Sequence, residues 1–225
     1  TQAERRRMSI DSTRADMHGG NFRGADLRGC NFQKAAPESS IFQDADLRCA
    51  NFQGADLSSS LFERADLRGA DMRGVDLRMA YLHSADLRGA NLQGANLEMA
   101  TLDKADLRNA DLYGANLRGA SLEEASLDEA ILREADLSRA NLLLASVRDA
   151  DLQGANLEEA ELQGADFRDA SLQRANLKWA ILTGADFRRA DFQGVNLEMA
   201  DLIDADFRGA LWDFEERDQC SDDVG

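Results

Sequence analysis

An all-β solenoid that turns through four sides per coil is the fold class this sequence predicts, and three observations predict it. Every fifth residue from Ala15 to Ala210 is small: thirty-four of these forty positions are Ala, the others being Gly20, Cys30, Ser40, Ser60, Val75 and Val195. Two residues further on, from Met17 to Trp212, stands Leu twenty-six times and Phe nine times, usually after Asp or Asn, as in Ala65-Asp66-Leu67. The third observation is a second period of twenty. After the centre of the Leu27 side come Arg28, Arg48, Arg68, Arg88, Arg108, Asp128, Arg148, Arg168, Arg188 and Arg208, and on the next side Gln33, Gln53, Gln93, Gln153, Gln173 and Gln193 share one position.

A helix cannot use a period of five. Five steps of about 100° carry an apolar position some 140° around the axis, so successive Leu residues would not share a face. An alternating strand fails as well, because an odd period flips the buried set to the other face at each repeat. A chain that turns once per repeat keeps the same two positions inward. The small residue then occupies a tight corner and the Leu or Phe fills the middle. Segregation of Arg and Gln by side requires four sides per coil, and forty repeats give about ten coils.

Taken in order, residues 1–14 precede the repeat and carry Arg5, Arg6 and Arg7; residues 15–214 form the solenoid; residues 215–225 are an acidic tail. Phe22, Phe42 and Phe62 make one core column, and Phe167, Phe187 and Phe207 another. Pro37 stands at a core centre, where it removes a ladder donor, and a local bulge is expected. Trp212 and Phe214 are expected to cap the open core of the last coil, with an end-to-end homodimer contact as the rival role, since an uncovered end invites association.

The motif of a small residue, Asp or Asn, Leu or Phe, then two variable positions resembles the pentapeptide-repeat family over residues 15 to 212. The resemblance implies a right-handed, four-sided parallel β-helix. It also implies two kinds of role: an assembly or interaction subunit, as in members from cyanobacteria and the thylakoid lumen, or imitation of duplex DNA, as in members that protect DNA gyrase from quinolones. The corresponding localisations are a plastid thylakoid lumen or a bacterial cytoplasm. The first residue is Thr rather than Met, compatible with removal of a targeting segment.

Composition narrows the chemistry. The 225 residues carry a net charge of −16, which disfavours nucleic acid and anionic lipid as direct partners. No run of eighteen apolar residues is present, so no transmembrane segment is expected. Cys30, Cys49 and Cys220 make neither a metal spacing nor a disulfide framework. His18 and His83 lie about three coils apart with no motif around them, and the repeated Asp is expected to cap turn amides. The predicted interior is filled by side chains. No catalytic residue, cofactor or metal is therefore expected, and the chain reads as a nonenzyme. The Arg column, alternating with Asp26, Asp46, Asp66, Asp86 and Asp106, reads as a self-compensated ladder rather than an anion site.

The residues that break the repeat say more. The side centred on Phe22 should carry Asp or Asn before each centre but has Ile41, Leu61, Tyr81 and Ile181, and it adds Leu143, Leu144 and Ile203. Just before its corner, at the end of the side that includes Leu57, stand Met79, Met99, Trp179 and Met199. Outward apolar residues elsewhere are few, among them Ala36, Tyr113 and Ile131. Met, Trp and Tyr are enriched in protein interfaces. The sequence thus predicts a noncatalytic rod that docks on a protein complex through this edge, a photosynthetic membrane complex being one form. The alternative is a DNA mimic acting on an enzyme such as gyrase. Charge placement weighs against it, since the four sides carry about −5, −2, −2 and −5.

Overall fold

The computed structural model describes residues 16–213. The 1–14 segment, Phe214 and the acidic tail lie outside the described residues. Where the backbone amides go explains the fold. In the repeat Asp66–Ala70, Asp66 N–H donates to Ala45 O of the preceding coil (2.9 Å), and Leu67 N–H to Asp86 O of the next (2.7 Å). Gly69 N–H donates to Arg88 O (3.1 Å), and Ala70 N–H closes a β-turn on Leu67 O (3.0 Å). The remaining amide, Arg68 N–H, goes to Asp66 Oδ1 (3.3 Å). All five are satisfied, as buried or sheet-lining backbone requires. The expected Asp or Asn cap of the turn is this last bond, and it recurs at Asn21, Asp76, Asn116 and Asp186.

Parallel bridges join one residue in every five to the one twenty positions on, from Asp16↔Ala36 to Asp191↔Leu211, with one exception at Ala36. Four turns separate bridged partners, so the coil has four sides. Each side contributes one bridged residue between two turns, and no longer strand forms among the described residues. A five-residue side, two residues of which belong to a turn, has no room for one.

The turn itself is left-handed at its second central residue. Every such position from Gly19 to Gly209 has φ between 53° and 76°; fifteen are Gly and twenty-four are not. Positive φ there alone, with the i to i+3 hydrogen bond, is the type II pattern. An L residue in this region costs about 1–2 kcal/mol relative to the right-handed one.

Inside, the centre and corner residues from Leu27 to Phe192 are buried almost without exception, the centres at 0–1% exposure. At the N-terminal end, Phe22, Phe42 and Phe62 stack at 4.9 Å, and the Phe32–Phe52 stack (4.8 Å) meets them edge-on at 6.0–6.5 Å. The repeat distance of the coil is thus close to the ordinary spacing of paired strands. Gly20 is explained by its neighbours: a Cβ there would lie 2.6 Å from the Phe22 ring.

Pro37 produces no bulge. It sits buried in register, and its only mark on the ladder is the absence of the Ala36↔Asp56 bridge while Asp56 N–H still reaches Ala35 O (2.9 Å). Its turn is slack, with Ser40 N–H 3.3 Å from Pro37 O. Two fully buried serines tie the region together. Ser60 Oγ donates to Pro37 O (3.0 Å) and accepts from Ser40 N–H (3.1 Å), and Ser40 Oγ donates to Met17 O (3.0 Å). The bulge expectation fails because losing one N–H needs no inserted residue, and hydroxyls at the corner supply new bonds between coils.

Candidate protein-docking edge

Three positions per repeat face outward: the bridged residue before the centre and the two central turn residues. The second of these is the most consistently exposed. Met79, Met99, Trp179 and Met199 occupy it in one column at φ 56–59°, with 57%, 61%, 46% and 74% of their surface exposed. Tyr81 and Ile181, across the corner on the Phe22 side, are also exposed, as are Leu144 and Ile203 farther across that side. Ile41, Leu61 and Leu143 are only half-buried to solvent. Ile41 and Leu61 are bridged to the residues above them, ending at Tyr81, so neighbouring coils cover much of both.

The column divides into two apolar groups, and the stretch between them is closed on itself. A methyl group on Gly119 would come 2.7 Å from Met99 Sδ, so the Met99 side chain lies across the next coil. Above it Arg139 pairs with Glu159 (2.9 Å). In the upper group, Lys178 Nζ stands 4.5 Å from the centre of the Trp179 ring and 2.9 Å from Glu198. Leu144 behaves as Met99 does, lying over Gly164.

Charged residues in left-handed positions are mostly neutralised by the coil above or below. Asp44 pairs with Arg64 (2.8 Å), Lys104 with Glu124 (3.5 Å) and Asp169 with Arg189 (2.5 Å). Such pairs partly offset the turn strain, each by a few tenths of a kcal/mol at this exposure. The exposed methionines have no comparable return. This distinction was not readable from the sequence, because Gly fills fewer than half of the left-handed positions and the turn type stayed hidden.

The Arg column is the ladder the sequence predicts. Arg28, Arg48, Arg68, Arg88 and Arg108 each clasp the Asp two residues earlier at 2.6–2.7 Å. Their Nε atoms also reach the Asp of the next coil at 3.5–3.6 Å, as far as Arg88. Where Ser126 and Ser146 replace Asp, Asp128 takes over: it accepts from Ser146 Oγ (2.5 Å) and pairs with Arg148 of the coil above. The hydrogen bond from Arg188 holds the Asp186 carboxyl below its ordinary range, and Arg208 holds Asp206 at about 2. These arginines are committed to aspartates.

Two of the shallow depressions on the surface bear on chemistry. One, about 430 Å³, is lined by Tyr113, Arg133, Glu134, Gln153, Gly154 and Arg174. There the Tyr113 hydroxyl donates to Glu134 Oε2 (3.0 Å), which raises the phenol's pKa and works against nucleophilic use. The other lies among Arg88, Arg108, Asp128 and Arg148 of the ladder. No group of His, Cys, Asp and Glu able to hold a metal ion occurs among the described residues, and no helix among them is long and apolar enough to cross a membrane. His18 is exposed, 3.9 Å from Glu38, and His83 is exposed far from it.

At the C-terminal end the core opens. Leu202 is 39% exposed, Leu197 and Phe207 are partly exposed, and Trp212 packs 4.9 Å from Phe192 and 5.5 Å from Phe207. Trp212 continues the core column of its side; Phe214, the other expected cap residue, lies outside the described residues.

Residues 10–36, 40–78, 80–119, 105–142, 145–183 and 170–209 match the Pentapeptide repeats family, in eight copies. Among solved structures, the chain is similar to HetL, a pentapeptide repeat protein involved in heterocyst differentiation regulation from the cyanobacterium Nostoc sp. strain PCC 7120. The two are 34% identical over 87% of this chain and 91% of HetL, with a TM-score of 0.37. A pentapeptide repeat protein from the Arabidopsis thaliana thylakoid lumen is 38% identical over 48% of this chain and 72% of its own, with a TM-score of 0.37. QnrB1, a plasmid-mediated fluoroquinolone resistance protein, is 21% identical over 87% of this chain and 92% of its own, with a TM-score of 0.49. No curated protein matches the chain. With a five-residue motif matched along most of its length and a four-sided coil of twenty-residue period, the chain belongs to the pentapeptide-repeat family.

Proposed function

We propose that this protein is a noncatalytic interaction rod, a right-handed solenoid of about ten coils, that docks on a larger protein assembly through the Met79/Tyr81/Trp179/Ile181 edge. One observation carries the reading: bulky apolar side chains occupy strained, left-handed positions while remaining about half or more exposed. Strain that the fold does not use points to a use outside it. A photosynthetic membrane complex is one candidate assembly. Trp212 is assigned to closing the last coil, with end-to-end pairing as its competing role.

The test is Tyr81→Asp with Trp179→Asp. The double variant loses the wild-type partner on co-purification, while Gln33→Asp with Gln53→Asp on the Phe32 side retains it and both keep native far-UV spectra. Equal retention by the edge variant defeats the reading. A second reading, a DNA mimic acting on gyrase, draws on the net charge of −16 along a rod. A supercoiling assay separates the two.

A further inference from the structure

The docking edge lies between the two most acidic sides of the rod. The Phe22 side carries eight acidic and three basic outward residues, and the Leu57 side nine and four, whereas the other two sides are nearly balanced. Glu98, Glu158 and Glu161 border the column directly, interleaved with Arg78, Arg118 and Lys178, of which Arg78 is paired with Asp76 and Lys178 with Glu198. An apolar stripe with acidic margins complements an apolar stripe with basic margins. The methionines suit such a partner, since a flexible thioether adapts to varied apolar faces.

Backbone chemistry selects the partner's conformation. Along the sides, repeat amides are already bonded to adjacent coils, to the turn or to the Asx cap. An extended peptide would therefore find no ladder to join. A helix arrives with its own backbone satisfied. Dimensions agree: Met79 and Met199 are six coils apart, and stacked rings give 4.8–5.0 Å per coil. The stripe is thus about 30 Å long, the length of a helix of about 20 residues at 1.5 Å each. One helical turn of about 5.4 Å nearly matches one coil, so apolar residues at i, i+3, i+4 and i+7 near each end of such a helix meet the Met79/Met99 and Trp179/Met199 groups, while its middle crosses Gly119 and the Arg139–Glu159 pair.

We propose that the occupant of this edge is a basic amphipathic helix of a protein partner, its apolar face on Met79, Tyr81, Trp179 and Met199 and its Lys or Arg margins against the flanking acids. The assignment rests on the docking reading above and adds the partner's chemistry to it.

The probe is a designed peptide of about 20 residues with Leu on one helical face and Lys on the other, compared with a Leu/Glu counterpart and a scrambled Leu/Lys sequence. Binding is followed by fluorescence anisotropy, and peptide helicity by circular dichroism. The Leu/Lys helix is expected to bind and fold on the wild-type rod, more weakly as salt rises. Its affinity should fall at least about tenfold in the charge-neutral variant Met79→Ser, Tyr81→Ser, Trp179→Ser, Met199→Ser. Glu98→Gln with Glu158→Gln and Glu161→Gln should lower affinity several-fold and flatten the salt dependence. Equal binding of the Leu/Glu or scrambled peptide overturns the assignment, as does undiminished binding by the Ser variant, which would mark mere attraction to an acidic rod. Self-association of the wild-type protein that the Ser variant abolishes would give the edge to a second copy and also overturn it. In each of these cases the co-purification test still decides separately whether the edge docks a protein.

Discussion

If Met199 serves a partner and not the rod, the rod should scarcely notice its removal. Its backbone sits at φ 59° and its side chain is 74% exposed. Replacing it with Gly relieves about 1–2 kcal/mol of left-handed strain. Against this, Gly restores freedom to the unfolded chain worth about 0.5–1 kcal/mol. The buried quarter of the side chain contributes about 0.4–0.8 kcal/mol, a fraction of the roughly 1.5–3 kcal/mol for full burial of such a residue. The terms cancel to within about 1 kcal/mol, so Met199→Gly should be nearly neutral. Met199→Ala loses the same contacts but keeps the strain, and should be less stable than the Gly variant by about 0.5–1 kcal/mol. That reverses the ordinary order of Ala over Gly.

Denaturant and thermal unfolding followed by far-UV circular dichroism read both quantities. For a chain of this length the Gly variant should melt about 1–4 °C above the Ala variant. Gly94→Ala is the mirror control, since that residue has φ 62° with open space around it, and it should destabilise by a similar amount. Partner binding should fall in both Met199 variants. The reasoning is refuted if Met199→Ala proves more stable than Met199→Gly, or if Met199→Gly costs more than about 2 kcal/mol. The first result would show that the left-handed position carries no strain to explain, and the second that the exposed methionine packs for the fold.

Core truncation should behave in the opposite way: Leu107, fully buried in mid-rod, should cost about 2–5 kcal/mol as Leu107→Ala in a denaturant titration. Acid should weaken the rod through the ladder. Asp186 is held low by a hydrogen bond from Arg188, and Asp206 is held at about 2 by Arg208. The unfolded chain therefore binds more protons as pH falls below about 4, and the ladder's stability is present above that pH and lost towards about 2. Melting temperatures across that interval should decline, and a rise would contradict the ladder's stabilising role. In a gyrase supercoiling assay the protein should neither inhibit nor protect, because the apolar edge between its two acidic sides is unlike duplex DNA and much of the acidity is paired with Arg; clear protection from a quinolone would favour the DNA-mimic reading.

The coil was legible because each position in the repeat answers one physical demand. A corner admits only small residues, a centre only residues that fill it, and the residue before the centre caps an amide, so Ala, Leu and Asp each mark a place. The left-handed position makes no such announcement. Gly94, Lys104, Glu129 and Trp179 all occupy it, since modest strain is tolerated wherever a hydrogen-bonded coil on each side fixes the backbone. The serines at 40 and 60 looked like ordinary variation among small residues. Their bonds to Met17 O and Pro37 O exist only once coils are stacked at twenty residues, so one sequence neighbourhood could not reveal them. Ile41 and Leu61 count as outward residues in the repeat and are half-covered for the same reason: the bridged position touches the coil above.

A solenoid of this regularity leaves little of its sequence free to specify a partner. Centres and corners are consumed by the core, caps by the turns, and the Leu27 side by its Asp–Arg ladder. The second turn residue is the freest position, and its occupants differ in energetics. Gly avoids the strain, charged residues such as Asp44 with Arg64 and Arg139 with Glu159 offset part of it by pairing with the adjacent coil, and the remaining residues, the exposed apolar ones among them, do neither in full. Were those apolar residues neutral drift, they should be spread over all four corners. Four of the five Met, Leu and Trp residues in left-handed positions instead stand at one corner, Met79, Met99, Trp179 and Met199, and that corner is the junction of the two most acidic sides. Apolar occupancy, exposure and charge thus select the same line on the rod by separate physical criteria, and that coincidence is the reason to look there for the partner.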